Sequence, residues 1–436
     1  MSVPPRAVQL NEANAFLKEH PEVLYVDLLI ADMNGVVRGK RIERTSLHKV
    51  YEKGINLPAS LFALDINGST VESTGLGLDI GDADRICYPI PDTLCNEPWQ
   101  KRPTAQLLMT MHELEGDPFF ADPREVLRQV VSKFDEMGLT ICAAFELEFY
   151  LIDQENVNGR PQPPRSPISG KRPHSTQVYL IDDLDEYVDC LQDILEGAKE
   201  QGIPADAIVK ESAPAQFEVN LHHTADALKA CDYAVLLKRL IKNIAYDHEM
   251  DTTFMAKPYP GQAGNGLHVH ISILDRDGKN IFTSEDPEQN AALRHAIGGV
   301  LETLPAQMAF LCPNVNSYRR FGAQFYVPNS PTWGLDNRTV AVRVPTGTAD
   351  AVRIEHRVAG ADVALFLPPD DHADEHLEGA ARGGHQLGVG LLPLFRGRLF
   401  ELAGILRALQ RLGVGRSEGE REDQRCEVSH EETRTS

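Results

Sequence analysis

The sequence predicts an α+β protein built as two domains. Two observations carry this. Short extended runs broken by glycine and proline turns fill roughly residues 1–115, whereas long amphipathic helical patterns alternate with apolar strands beyond Asp122. With 436 residues, 42% of them hydrophobic and 25% charged, the chain can bury a sizeable core and has the balance of a soluble enzyme.

In the first region, Tyr25–Ile30 is an apolar run, Met33-Asn34-Gly35 has turn chemistry, and Val36–Ile42 resumes in extended style, which together read as a hairpin. Leu61–Ile66 and Gly75–Ile80 are expected as further strands, Tyr88–Pro98 as a proline-punctuated loop and Leu107–His112 as another strand. The second region opens at Asp122-Pro123-Arg124-Glu125: Asp as N-cap, Pro at the first helical position and Glu completing a capping box. Val126, Leu127, Val130, Val131 and Phe134 form the apolar stripe of that helix. Leu139–Ile152 reads as a buried strand and Gln154–Gln177 as a surface loop. Helical patterns cover Leu184–Gln201, Ala225–Met250 and Ala291–Phe310; Phe217–Leu221, Thr339–Val344 and Val352–Val358 read as strands.

Composition narrows the function. A net charge of −21 argues against nucleic acid as a partner. No apolar run reaches the length of a membrane span and the start lacks a signal core, so a cytoplasmic protein is expected. Seven cysteines, scattered and never at CxxC spacing, read as free thiols in a reducing compartment.

The chemistry concentrates in a few stretches. In Lys257–Ser272 a turn containing Gly261, Gly264 and Gly266 runs into a strand where His268, His270 and Ser272 share one face, neighbours roughly 6.5–7 Å apart. That face suits phosphate or metal; a hairpin with two surface histidines is the plainer alternative. Phe145-Glu146-Leu147-Glu148-Phe149 puts two acids on one face of an apolar strand, where they resist ionisation unless a cation sits between them or a salt bridge pairs them. Glu211 and Glu218 add two more acids, and Arg353, Glu355 and Arg357 alternate. With His268, these glutamates are hard ligands for magnesium or manganese rather than zinc. Arg319, Arg320, Arg338, Arg343, Arg353 and Arg357 supply planar forks for carboxylate and phosphate oxygens. Acids for metal and arginines for anions describe phosphoryl transfer without a Walker loop or a kinase signature.

In this order and spacing, Phe145–Glu148, Glu211 through Glu218, Lys257–Ser272, Asn337-Arg338, Val342–Pro345 and Arg353–Arg357 resemble the glutamine synthetase superfamily, from about Tyr25 to Val363. The resemblance implies an N-terminal β-grasp domain and a C-terminal catalytic domain with an antiparallel sheet and flanking helices. Homo-oligomeric rings with shared active sites are implied as well. The boundaries expected are 1–115, 116–363 and an atypical segment, 364–436. ATP and two or more divalent cations, Mg2+ or Mn2+, follow from the resemblance, as does a two-step reaction. ATP phosphorylates the glutamate side chain, and a nitrogen nucleophile then displaces phosphate. By position, Glu148, Glu211 and Glu218 hold one cation, and Glu146, His268 and Glu355 the other. His270, Ser272, Arg343 and Arg353 line the nucleotide; Arg320, Arg338, Arg357 and the Asn265-Gly266 backbone take glutamate and the transferring phosphoryl group.

Departures from the family refine the substrate. The flap that carries a glutamate in glutamine synthetases has Tyr326 at that place, and Ala63 stands where an ammonium-binding aspartate is expected. Losing both carboxylates opens room for something larger than ammonium. With Trp333 placed to pack against an aliphatic amine, or else merely in the core, the chain resembles the γ-glutamylpolyamine and γ-glutamylputrescine synthetase branch. Glutamine synthetase proper and an inactive scaffold are the alternatives. After Asp362-Val363 the family pattern of Asn-Pro-Tyr and a small-residue helix gives way to Ala364-Leu365-Phe366-Leu367-Pro368-Pro369-Asp370-Asp371, which cannot continue a buried helix. A reading-frame change near Val363 accounts for this, since codons allowed for Ala364-Leu365-Phe366 read one base later as Pro-Tyr-Phe; a divergent C-terminal segment is the alternative. Resequencing the gene separates them. Asp370, His372 and His376 are accordingly not counted as ligands.

Overall fold

A computed structural model of the protein describes residues 6–322 and 325–363, with Ile405 and Leu409. The first sheet contains β1 (Tyr25–Ala31), β2 (Val37–Glu43), β3 (Ile55–Pro58), β4 (Asp84–Pro89), β5 (Cys95–Asn96) and β6 (Thr104–His112). Their order is β2-β1-β6-β4-β3, with β5 also on β6; β1 and β6 run parallel. The β1–β2 hairpin turns where the sequence places it. Gly35 adopts φ 76°, and the Asp32 carboxylate accepts the N–H groups of Asn34 and Val36 at 2.8 and 2.9 Å.

Val26, Leu28 and Ile30 of β1 pack with Leu107, Met109 and Met111 of β6 in an N-terminal core, whereas Leu29 and Leu108, on the opposite face, join a larger core below. Both strands are therefore covered on both sides, which is why they read as continuous apolar runs.

The second sheet is centred on β7 (Thr140–Asp153). Its other members are β8 (Ala205–Lys210), β9 (Gln216–Leu221), β10 (Met250–Thr253), β11 (Leu267–Leu274), β12 (Trp333–Leu335), β13 (Val342–Val344) and β14 (Ile354–His356). The order is β12-β13-β14-β11-β7-β9-β8, with β10 also on β7. The expected antiparallel sheet is mixed at one edge, where β12 and β13 run parallel. Helices Pro123–Glu136, Val188–Glu200, Ala227–Asp247 and Ala291–Leu311 flank it. Arg239, on the third of these, joins the two sheets: its guanidinium donates to Glu97 at 2.6 Å, to Gln106 at 2.9 Å and to Asp27 at 3.3 Å, over the Trp99 ring.

Several expectations need correction. Leu61–Ile66 and Gly75–Ile80 are not strands but 3-10 turns at Ala59–Ala63, Glu72–Thr74 and Leu78–Ile80. Gly75 and Gly81 take φ 70° and 66°, and the Asp65 carboxylate accepts the Asn67 and Ser69 N–H groups at 2.9 Å, so local turn chemistry overrides alternation. Tyr88–Pro98, expected as loop, includes the end of β4 and all of β5. Helices Arg6–Glu19 and Leu47–Lys53 carried no strong signal. Asp122 caps its helix through the Arg124 N–H at 2.9 Å, but Glu125 does not close the box; it takes Thr110 Oγ1 at 3.0 Å and Arg128 Nε at 2.6 Å. The break after Val363 and the segment 364–436 lie outside the described residues, except that Ile405 and Leu409 are buried in the larger core. Among the described residues six cysteines are free and buried, and no helix is long and apolar enough to cross a membrane.

Candidate active site

Strand alternation builds one face of the second sheet. On β7, Phe145, Leu147 and Phe149 are buried in the core, which turns Glu146 and Glu148 to the other side. Val219 and Phe217 do the same for Glu218 and Asn220 on β9, and Leu267, Val269 and Ile271 for His268 and His270 on β11. Ile354 and Val342 release Glu355 and Arg343 on β14 and β13. Register then sets neighbours: His268 lies opposite Glu146 and Glu146 opposite Asn220; Glu148 faces Glu218; His270 faces Glu355 and Glu355 faces Arg343. Segments more than a hundred residues apart in sequence thus meet on five adjacent strands.

On one side of this face the charges are matched. Glu146 accepts hydrogen bonds from His268 Nδ1 and His270 Nε2, both at 2.8 Å. Arg353 Nε donates to His270 Nδ1 at 3.1 Å, which leaves the ring proton on Nε2, facing Glu146. Glu355, 1% exposed, accepts from Arg343 Nη1 at 2.7 Å and from Arg357 Nη1. Burial pushes the Glu146 carboxyl up, but the two histidine hydrogen bonds outweigh it and hold it well below the usual range. Burial likewise opposes ionisation of Glu355, and the neighbouring His268 and Arg357 overcome it.

On the other side acids face acids. Glu148 accepts the Gly266 N–H at 2.8 Å and lies 3.8 Å from His268 Nε2, yet burial and then the Glu211 charge push it up to about 7. Glu218 is pushed well above the ordinary value by burial and by Glu146, Glu148 and Glu211, and Glu211 is raised by burial as well. Neither Glu211 nor Glu218 has an ion pair within 4.0 Å among the described residues. Crowded, buried oxygen donors lacking a counter-cation are the chemistry of a divalent ion site. Among the described residues, two groups offer donor atoms within 4.8 Å of one another: Glu146, Glu218 and His268, and Glu146, His270 and Glu355. These groupings cut across the division expected from sequence, with Glu146 in both and His270 beside Glu355.

The remaining expected residues are placed unevenly. Arg320 is 3% exposed and its charge reaches Glu148. Arg338 is exposed, and its charge reaches Glu211. Ser272 lies at the far end of the face, where it hydrogen-bonds Cys142. Trp333 is half-buried and packs against the larger core at the start of β12, whereas Tyr326 is 69% exposed. Asn265 is tied into the protein on several sides. Its Nδ2 donates to the Thr253 and Met255 carbonyls at 3.2 and 3.0 Å, its Oδ1 accepts from Gln216 at 3.1 Å, and its backbone pairs with Ala256 and Ala361. It is a strut beneath the glycine turn.

Sequence reasoning missed Gln216, which is fully buried and bridges Glu148 at 3.4 Å, Gly264 O at 3.0 Å and Asn265. Its spacing of two from Glu218 was the available signal. Lys210 was also missed: its ammonium donates to the Glu211 and Ala213 carbonyls, fixing the turn that presents Glu211. Asp336, which holds Arg343 Nη2 at 2.6 Å, carried no signal at all.

Comparison with known proteins gives a consistent picture. The family described as glutamine synthetase, catalytic domain, matches residues 120–368. A γ-glutamylputrescine synthetase, PuuA, of Escherichia coli is 45% identical over 357 residues, covering 82% of this chain and 75% of that protein. A glutamate–isopropylamine ligase of a Pseudomonas species is 32% identical over 367 residues, covering 82% and 78%. The solved structure of a GmaS/ADP complex has a similar fold, with a TM-score of 0.69 over 94% of this chain and 98% of the other at 23% identity.

Proposed function

This chain belongs to the glutamine synthetase family, and from that premise we propose that it is an ATP-dependent ligase joining the side-chain carboxylate of glutamate to an amine. The observation that carries the reading is the single sheet face on which five strands gather carboxylates, imidazoles and guanidinium groups.

The donor set fits a pair of divalent cations. Burial and then the neighbouring acids push Glu148 up to about 7 and Glu218 well above its ordinary value, and oxygen donors with an imidazole suit Mg2+ or Mn2+. We assign Glu148, Glu211 and Glu218 to one cation and Glu146, His268 and Glu355 to the other. When bound, such cations offset the charge of nucleotide phosphates. His270, Ser272, Arg343 and Arg353 line the nucleotide side. Arg320, Arg338 and Arg357 take glutamate and stabilise the charge that spreads over the phosphoryl oxygens. A glutamate side-chain oxygen attacks the terminal phosphorus of ATP, the bond to the bridging oxygen breaks, and ADP leaves with that electron pair. The amine nitrogen then attacks the γ-carbonyl carbon of the acyl phosphate. Phosphate leaves with the bonding pair and the nitrogen gives up a proton, so an amide remains.

We take the amine to be larger than ammonium. Tyr326 and Trp333 support this from the side of the chain, and the putrescine and isopropylamine in the names of its relatives support it from theirs. The division into 1–115, 116–363 and 364–436, with the first part a β-grasp domain, is our reading of the two sheets and two apolar cores. A ring of subunits with shared sites and a cytoplasmic location complete the proposal; the free cysteines support the latter.

The test is ADP release by purified protein with glutamate and Mg2+, run against ammonium, putrescine, spermidine and simple monoamines. Turnover should require glutamate and be fastest with an organic amine. Ammonium as the preferred nucleophile would make the chain a glutamine synthetase, and no amine-stimulated release from folded protein would make it a scaffold.

A further inference from the structure

Gln216 has no part in the scheme above, yet it sits where the segments that carry the crowded acids meet. It is fully buried at the start of β9, two residues before Glu218 and on the same strand face. Its amide oxygen accepts the Ala213 N–H at 3.2 Å. Its backbone closes the same turn: the Gln216 N–H donates to the Ala213 carbonyl at 3.1 Å, and the Gln216 carbonyl accepts the Glu211 N–H at 2.9 Å. The turn that presents Glu211 is thus anchored on this one residue.

The amide nitrogen reaches the other way. It donates to the Gly264 carbonyl at 3.0 Å and to Asn265 Oδ1 at 3.1 Å, and it lies 3.4 Å from Glu148 Oε2. Those bonds hold the glycine turn from which the Gly266 N–H donates to the same Glu148 oxygen at 2.8 Å. Glu148 Oε2 is therefore tethered twice, by Gly266 and by Gln216. Among the described residues Oε1 accepts no hydrogen bond. It stands 3.8 Å from His268 Nε2, and a Cβ on Gly266 would meet both atoms at 3.1 Å. One oxygen of Glu148 is taken by the protein, and the other is left beside an imidazole. A neutral amide suits this task. A lysine would pair with Glu148 in place of a cation and an acid would add to the crowding, whereas glutamine donates and accepts without charge.

We propose that Gln216 is a positioning residue for the cation assigned to Glu148, Glu211 and Glu218. It keeps Glu148 Oε2 with the protein so that Oε1 is the ligand atom, and it fixes the turn that brings Glu211 to the same ion. This rests on the cation assignment made above and adds to it a residue that does not touch the ion. Partners of this kind, which hold a ligating carboxylate from behind, govern metal affinity by limiting how the carboxylate can turn.

Mn2+ binding to the full chain, followed by calorimetry and by loss of the free-ion spin-resonance signal, tests this without turnover. Wild type should take up Mn2+ in two classes. Gln216→Met, which keeps the length and removes the amide, should weaken one class by about 10- to 100-fold and leave the other within about twofold. Glu148→Gln should strike the same class. In that background Gln216→Met should cost much less than it does alone, since the carboxylate it orients is gone. Should Gln216→Met not fold, Gln216→Asn serves: it keeps the amide, falls one methylene short, and should weaken the same class several-fold. Equal losses in both classes, or losses that simply add in the double variant, would mean a general structural role and overturn the proposal. An unchanged Mn2+ affinity in a folded variant overturns it too. Failure of the cation assignment looks different, because wild type itself then lacks the two classes, and the proposal falls with it. Failure of the ligase reading alone leaves every Mn2+ result as expected, while wild type releases no ADP when glutamate and an amine are supplied.

Discussion

The two sides of the β7 face are built from the same residue type and behave in opposite ways. All four glutamates are largely removed from solvent, yet Glu146 and Glu355 are held ionised while Glu148 and Glu218 are driven towards protonation. The difference lies in the strands across from them. β11, β13 and β14 bring His268, His270, Arg343 and Arg357 to the first pair, whereas β9 brings Glu218 to Glu148 and no cation. Burial alone therefore says little about a carboxylate; its neighbour decides the state. The matched side has its charges paired within the protein even before a cation binds, whereas the unmatched side is left without a counter-charge until one does.

The largest effect expected is on the matched side. Glu355→Gln leaves Arg343 and Arg357, with side chains 11% and 8% exposed, without their shared carboxylate. Breaking a buried pair from one end costs about 3–5 kcal/mol, so denaturant unfolding should show a loss of that size with m unchanged. A loss under about 1 kcal/mol would mean that Asp336, which also holds Arg343, carries the pair by itself.

On the unmatched side pH and metal should act together. Glu148 has a folded value of about 7 against an ordinary 4.5, so between those values the unfolded chain gives up its proton first. Stability of the metal-free protein thus falls as pH rises from about 4.5 to 7, by roughly 2–3 kcal/mol, and levels off above. Saturating Mg2+ should reverse the trend, because the cation binds the ionised form and its stabilisation grows with pH. At a hundred times Kd it contributes about 2.7 kcal/mol. Thermal unfolding at pH 5, 6, 7 and 8 with EDTA or Mg2+ reads both slopes, and parallel slopes would show that the acids do not see the metal.

Much of this face was legible in the sequence because strand alternation is a strict code. Once Phe145, Leu147 and Phe149 are assigned to the core, Glu146 and Glu148 must share the other side, and His268 with His270 follows by the same rule. The partners across strands were not legible. Register is set by long-range pairing, so nothing near Glu148 announces that Glu218 will face it. Residues whose work is done through the backbone were hidden too. Gln216, Lys210 and Asn265 act by satisfying carbonyls and amides in turns, and no side-chain pattern marks that. The misread strands of the first sheet failed for the converse reason: apolar residues such as Leu78 and Ile80 sit exposed in turns dictated by Gly81 and its neighbours, so hydrophobicity there signalled neither strand nor core.

The smallest expected effect is the most telling, because its sign differs from the first. Glu218→Gln keeps the shape of the side chain and removes a charge that burial, Glu146, Glu148 and Glu211 all oppose. In metal-free protein at pH 8 this should stabilise the fold by about 1 kcal/mol, since a neutral amide costs less to bury than a carboxylate among carboxylates. The gain should shrink as pH falls towards the ordinary carboxylate value, where the unfolded chain keeps the proton as well. With Mg2+ the order should invert: wild type gains stability from the cation, and Glu218→Gln gains little because one donor has lost its charge. A variant less stable than wild type in EDTA would mean that Glu218 makes a structural contact worth more than its repulsion. The two sides of the face would then differ in degree and not in kind.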